Sequence, residues 1–303
     1  MPTNSPAVIL LRGGGDLATG VALRLYRAGI QVVIAELDRP LAVRRSVSFA
    51  EAIFEGQHIV EGIRARRVEP EQIPACLDAR EIPVLVDPEA AILESDDRPF
   101  SFIAVVDGRL IKQPPAPLPV LVPLHVGLGP GFEAGVNCDA VIETRRSHTL
   151  GRVYWSGSTQ TDSGQPEGDR RRVLRAPIDG ILSARATIGE HVEEGQVIAS
   201  IQQNEHIKNN IQSPFSGVLR GLIHDGIHVT QGLKIGDVDP RDDASACFLV
   251  SDKALSIGGA VLEAIFSRAE IREKLWVKRG VNDSSRCALA SKVRRLWIPA
   301  SYS

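Results

Sequence analysis

Residues 176–201 (APIDGILSARATIGEHVEEGQVIASI) recur without a gap 37 positions later, as residues 213–238 (SPFSGVLRGLIHDGIHVTQGLKIGDV). Pro177, Gly180, Leu182, Gly189, His191, Val192, Gly195 and Ile198 meet Pro214, Gly217, Leu219, Gly226, His228, Val229, Gly232 and Ile235, eight identities in 26 aligned positions. In both copies, glycines and prolines separate short β-branched runs, as turns separate strands. A copy of this size cannot bury an apolar face alone, so the two must close on each other as a small barrel or sandwich.

The A/S-P-x-x-G-x-[VIL] opening followed by G-x-x-V-x-x-G resembles the biotinyl/lipoyl carrier fold, a flattened barrel of two quasi-symmetric halves. In that family, the modified lysine lies on the hairpin between the halves, eight residues before the second proline. Here that place is held by His206, and Lys208 stands two residues out of register. An even shift keeps the side chain on the same face of a strand but moves it off the turn tip. The resemblance therefore implies the barrel without covalent biotin or lipoate. His191 and His228 occupy equivalent turns and read as exposed turn residues rather than as a metal pair; no metal site is expected.

The N-terminal region carries a different signal. The apolar run at residues 7–11 (AVILL) leads into Arg12-Gly13-Gly14-Gly15-Asp16, then into a helical pattern on Leu17, Val21, Leu25 and Ala28, a second apolar run at residues 31–35, and Glu36. This is the order of a dinucleotide-binding βαβ unit, and Gly13, Gly15 and Ala18 fit its G-x-G-x-x-G/A fingerprint. Gly13, Gly14, Gly15 and Asp16 are thus candidate cofactor contacts at a helix N-terminus, and Glu36 is the candidate ribose acid. Arg44 and Arg45 are candidate phosphate partners if they face this loop. The competing readings are a plain strand-to-helix turn and a solvated basic pair.

Strand-like runs at residues 63–68, 84–87 and 102–106 continue an α/β sheet to about Lys112, and a proline-rich linker follows at residues 113–119. Another strand runs into Gly127-Leu128-Gly129-Pro130-Gly131. Cys138, Glu143, Arg145, Arg146 and His148 cluster around a strand at residues 140–143, with Cys138 the candidate nucleophile if nearby arginines favour its thiolate. Beyond the repeat, Lys234, Asp237, Asp239 and Arg241 place two cations and two carboxylates within eight residues. Residues 247–250 suggest a strand, and residues 253–266 a helix that Asp252 caps. Gly258-Gly259 inside it costs about 1 kcal/mol per glycine, which close packing or ligand approach would justify.

Overall, the expected architecture is α/β. It comprises a Rossmann-like nucleotide-binding parallel sheet (1–112), an α/β extension and linker (113–170), a biotinyl/lipoyl-like barrel (171–241), a strand and helix packing back on the α/β region (242–276) and a basic tail (277–303). A net charge of −2 and a pI near 6.4 give no basic surface for nucleic acid. No apolar run reaches membrane length, and the four cysteines lack C-x-x-C spacing, so a cytoplasmic protein with reduced thiols is expected.

The strings RGGGDLATGVALRL, ELDRPLAVRRSVSFAEAIFEG, HVGLGPGFEAGVNCDAVIET, DGIHVTQGLKIGDVDPR and SDKALSIGGAVLEAIF together resemble the YqeB-type accessory family of the selenium-dependent molybdenum hydroxylase system. Ser147 departs from that family's R-G-H step before His148, and residues beyond Glu270 have no counterpart. The resemblance implies an accessory or maturation protein for a hydroxylase of the xanthine dehydrogenase type, with the hydroxylase apoenzyme as partner. Its ligand would be a nucleotide-bearing small molecule or the molybdenum cofactor, bound at the glycine loop. An NAD(P)-dependent oxidoreductase is the alternative, weakened by the lack of a Tyr-x-x-x-Lys relay.

Overall fold

The computed structural model describes residues 5–162 and 169–276; the expected basic tail and part of the expected linker lie outside the described residues. A large sheet is built from β1 (Ala7–Arg12), β2 (Gln31–Glu36), β3 (Gln57–Val60), β4 (Ile63–Arg67), β5 (Ile82–Val86), β6 (Ser101–Asp107), β7 (His125–Leu128), β9 (Ala140–Ile142) and β10 (Val153–Tyr154). Its order is β10-β9-β7-β6-β1-β2-β5-β4-β3, with β8 (Glu133–Ala134) and β11 (Gly157–Ser158) pairing separately. β1 is central and apolar on both faces, as a strand covered on both sides must be. Ile9 and Leu11 join one core layer, and Val8 and Leu10 join the other.

On the Ile9 side lie α1 (Asp16–Arg27) and α4 (Asp252–Ser267); the short α2 (Ala52–Glu55) also feeds that layer, and α3 (Ile73–Asp78) packs on the opposite side. The terminal helix α5 spans Ala269–Trp276. By length and composition, the helical stretch Ala244–Ser267 is apolar enough to cross a membrane. Here the apolar face of α4, Ala254, Ile257, Val261 and Ile265, is buried in the core beside α1. Residues 247–250 form no strand, because Asp243 accepts from the Ser245 amide and starts a 3-10 turn over Ala244–Cys247. The cap of α4 is Ser251, not Asp252: the Ser251 side chain accepts from the Ala254 amide.

The repeats supply β13 (Gly180–Ala184), β14 (His191–Val192) and β15 (Val197–Gln202) in the first copy. The second copy supplies β17 (Gly217–Leu222), β18 (His228–Val229) and β19 (Lys234–Asp239), while β12 (Val173–Arg175) and β16 (Lys208–Gln212) flank them. They form two antiparallel sheets, β12-β19-β17-β14 and β16-β15-β13-β18, so each copy lends its two-residue strand to the other's sheet. The registers are equivalent: Gly180 faces Val229, and Gly217 faces Val192. Leu182, Val192 and Ile198 and their counterparts Leu219, Val229 and Ile235 are all fully buried in one core.

The expected architecture is corrected on two counts. The large sheet is mixed rather than Rossmann-like parallel, because the polar hairpin β3-β4 and the short β9-β10 pair add antiparallel edges. The repeats make two separate antiparallel sheets rather than a closed biotinyl/lipoyl-like barrel, since no ladder joins one sheet to the other among the described residues. His191 and His228 lie in different sheets, and no group of metal-binding side chains occurs among the described residues.

Candidate functional site

The glycine loop is folded inward. Gly13, at φ +89°, turns the chain and donates to the Ala35 carbonyl. The Gly14 amide donates to Glu36 Oε2 at 2.6 Å, and the other oxygen of Glu36 accepts from the Leu37 amide at 2.7 Å. The Gly14 carbonyl accepts from the Ala50 amide, and a Cβ at Gly14 would lie 2.9 Å from the Ala50 nitrogen. Glu36 is buried, and burial pushes its carboxyl above the usual range against the pull of those two amides. The expected ribose acid and the middle of the expected phosphate cradle therefore satisfy each other. Gly15 serves as the N-cap of α1 without a side-chain cap.

Arg44 and Arg45 diverge. Arg45 donates to the Leu222 carbonyl at 3.1 Å and to Glu51 at 2.8 Å, tying the repeat module to the large sheet. Arg44 instead pairs with Asp16 at 3.6 Å. Beside them Val43 lies so close to β17 that a Cβ at Gly221 would stand 2.7 Å from its carbonyl oxygen. Cys138 packs with Phe132, Ala134 and Val141, and burial pushes its thiol up to about 11. Burial thus works against the thiolate that a nucleophilic Cys138 would need, and no guanidinium is among the groups that shift it. His148 is exposed.

Of the residues expected at the glycine loop or as nucleophile, only Asp16 and Arg44 reach a cleft of about 1200 Å³, which the flagged Glu143, Arg145, Arg146, Lys234, Asp237, Asp239 and Arg241 also line. Its floor is the end of the large sheet where the N-terminus of α1 and the segment after β6 meet. One wall is the repeat module, and the N-terminus of α4 closes a side. The lining carries nine Lys or Arg side chains against seven Asp or Glu. Arg172 holds Asp237 at 2.9 Å, with Lys234 at 3.4 Å, and Arg241 grips Asp239 through two nitrogens at 2.6 and 2.9 Å. Arg146 holds Asp252 by two bonds, and Glu143, buried after β9, accepts from the amides of Arg145 and Gln160 to fix that rim. Such an arrangement suits a multiply charged anion, which exchanges with the wall's own carboxylates for the same guanidiniums.

Sequence reasoning flagged Lys234, Asp237, Asp239 and Arg241 but not Arg172, Arg220 or the α4 end. A signal for Arg220 was present, since it replaces its repeat counterpart, Ser183, with a cation. The Asp239 carboxyl is held down to about 2 by Arg241, against an ordinary value of 3.8. A depressed carboxylate stabilises the fold above its unfolded pKa and loses that contribution as pH falls through the folded value. Acid unfolding of the wild type should therefore lose stability relative to Asp239→Asn between about pH 4 and pH 2. Parallel pH curves by circular dichroism would refute this.

No protein-family model matches the chain. The protein YqeB of Escherichia coli (strain K12), itself uncharacterised, is 44% identical over 263 residues, covering 85% of this chain and 47% of that protein. The chain is similar to that protein over most of its own length. It spans about half the length of the curated relative it matches. Similar solved structures include an aspartoacylase family protein from Mesorhizobium loti at 13% identity and TM-score 0.27, covering 78% of this chain and 85% of that one. A succinylglutamate desuccinylase/aspartoacylase from Rhodobacter sphaeroides has 14% identity and TM-score 0.26 over 78% and 85% of the two chains. At such TM-scores these likenesses carry no argument about the fold or chemistry of this chain.

Proposed function

We propose that this chain is an accessory protein of a selenium-dependent molybdenum hydroxylase of the xanthine dehydrogenase type, acting in the cytoplasm. In this reading its cleft holds the phosphate-bearing molybdenum cofactor while the hydroxylase apoenzyme is prepared. The observation that carries the binding role is the cleft itself, where cations outnumber carboxylates at the junction of the two modules. The partner comes from the family resemblance of the sequence. The residues fit a phosphate group: buried guanidinium nitrogens of Arg44 and Arg220 lack hydrogen-bond partners beside the cleft. The bound cofactor would supply the hydroxylase's redox chemistry; the chain's own residues would bind and orient it.

The test is reconstitution. Purified chain added to hydroxylase apoenzyme with molybdenum cofactor is expected to raise the active fraction several-fold over cofactor alone. An unchanged active fraction across a concentration series of the chain would overturn the reading.

A further inference from the structure

We infer that the cleft has a dedicated seat for a phosphate-type dianion, a phosphomonoester or the end of a pyrophosphate, between Arg44 and Arg220 at the N-termini of α1 and α4. The inference rests on the reading of the cleft as a binding site and names the chemistry it selects.

Three independent features meet there. The first is the pair of arginines. Arg44 is 8% exposed, and its Nη2 donates to the carbonyls of Ala246 and Leu249 at 3.3 and 3.0 Å. Its one carboxylate partner is Asp16 at 3.6 Å, beyond hydrogen-bond reach. Arg220 is 17% exposed and stands 3.8 Å from Asp239, a carboxylate that Arg241 already grips. The Nε of each arginine is buried without a hydrogen-bond partner. Burial and the neighbouring Arg220 press the Arg44 guanidinium below its usual basicity, against the opposing pull of Asp16 and Asp237. Burying a cation this way is costly unless an anion compensates it.

The second feature is the pair of helix ends. α1 and α4 run for 12 and 16 residues, and both first turns line the cleft, through Asp16 and Leu17 and through Ser251, Asp252 and Lys253. Each helix end adds a partial positive charge to the same space; α1 begins without a side-chain cap, whereas the Ala254 and Lys253 amides of α4 are taken by Ser251 and Asp252. The third is the division of labour on the module wall. Asp237 is satisfied by Arg172 and Lys234, and Asp239 by Arg241. That leaves Arg220, whose one carboxylate contact is the 3.8 Å approach to Asp239, as the wall's least engaged fork. A carboxylate is satisfied by one guanidinium, whereas a tetrahedral dianion offers enough acceptors to bridge two.

The test is calorimetric titration of the full chain with sodium pyrophosphate, and separately with inorganic phosphate, at low salt and at 0.5 M salt. Pyrophosphate is expected to bind more tightly than phosphate, and both should weaken with salt. Arg220→Gln should weaken pyrophosphate at least tenfold, while Arg185→Gln, on the exposed surface of the repeat module, should bind as the wild type does. Lys253→Gln keeps the test alive if Arg220→Gln fails to fold; a several-fold weakening is expected there. No binding by the wild type, or equal binding by wild type, Arg220→Gln and Lys253→Gln, would sink the inference. Anion binding without hydroxylase activation would keep this seat and remove the accessory role, and activation without anion binding would do the reverse.

Discussion

Truncating Asp107 to alanine is expected to cost the fold about 3–5 kcal/mol, the scale for removing one partner of a buried ion pair. Asp107 ends β6, opposite Arg12 at the end of β1, and its side chain is fully buried. Arg109 bonds it at 2.9 and 2.6 Å, and Arg12, 5% exposed, lies 3.6 Å away. Arg12 has one other partner, the Pro88 carbonyl at 2.8 Å, and its Nε has none. Burial already presses the Arg12 guanidinium below its usual basicity, with Asp107 the strongest opposing influence. Without the carboxylate, an uncompensated cation would remain at the centre of the large sheet. The double change Arg12→Met with Asp107→Ala should recover most of the loss, since the cost lies in the unpaired charge rather than in the missing bond. Urea unfolding measures both. A loss below about 1 kcal/mol in the single variant would show the charge to be solvated after all.

The sequence made the equivalence of the two repeats legible position by position, because identities such as Leu182 with Leu219 and Gly180 with Gly217 lie at one fixed offset. It did not show that their sheets would stay separate, which depends on β14 and β18 being only two residues long. The glycine loop misled for a related reason. Strand, glycines, helix, strand and acid are local facts, but Glu36 turns back onto Gly14 and Ala50 returns to cover it, and neither is encoded near Gly13. The cleft was least legible, since Asp16, Arg44, Arg172, Arg220 and Asp252 are brought together only by the tertiary fold. Gly258 is the opposite case: its presence in a helix pattern demanded close packing or a ligand, and the structure supplies close packing.

That packing predicts the second large effect. Gly20→Val in α1 should destabilise the protein by about 3 kcal/mol, at the upper end of overpacking costs. A Cβ at Gly20 would stand 2.6 Å from the Ala254 Cβ and 2.7 Å from its backbone, and one at Gly258 would stand 2.7 Å from the Gly20 carbonyl oxygen. The obstruction is helix backbone on both sides, so no side chain can swing away and α1 and α4 must separate. Separation would also displace the two helix ends that line the cleft, so pyrophosphate affinity should fall together with stability. Gly259, one residue along the same helix, has nothing within 4 Å of its missing Cβ. Gly259→Ala should therefore gain up to about 1 kcal/mol from helix propensity alone, with anion binding unchanged. Opposite signs for Gly20→Val and Gly259→Ala in thermal unfolding would identify the helix seam, rather than glycine content, as what sets the stability of this helix pair. A neutral Gly20→Val would mean that the seam is looser than its atoms imply.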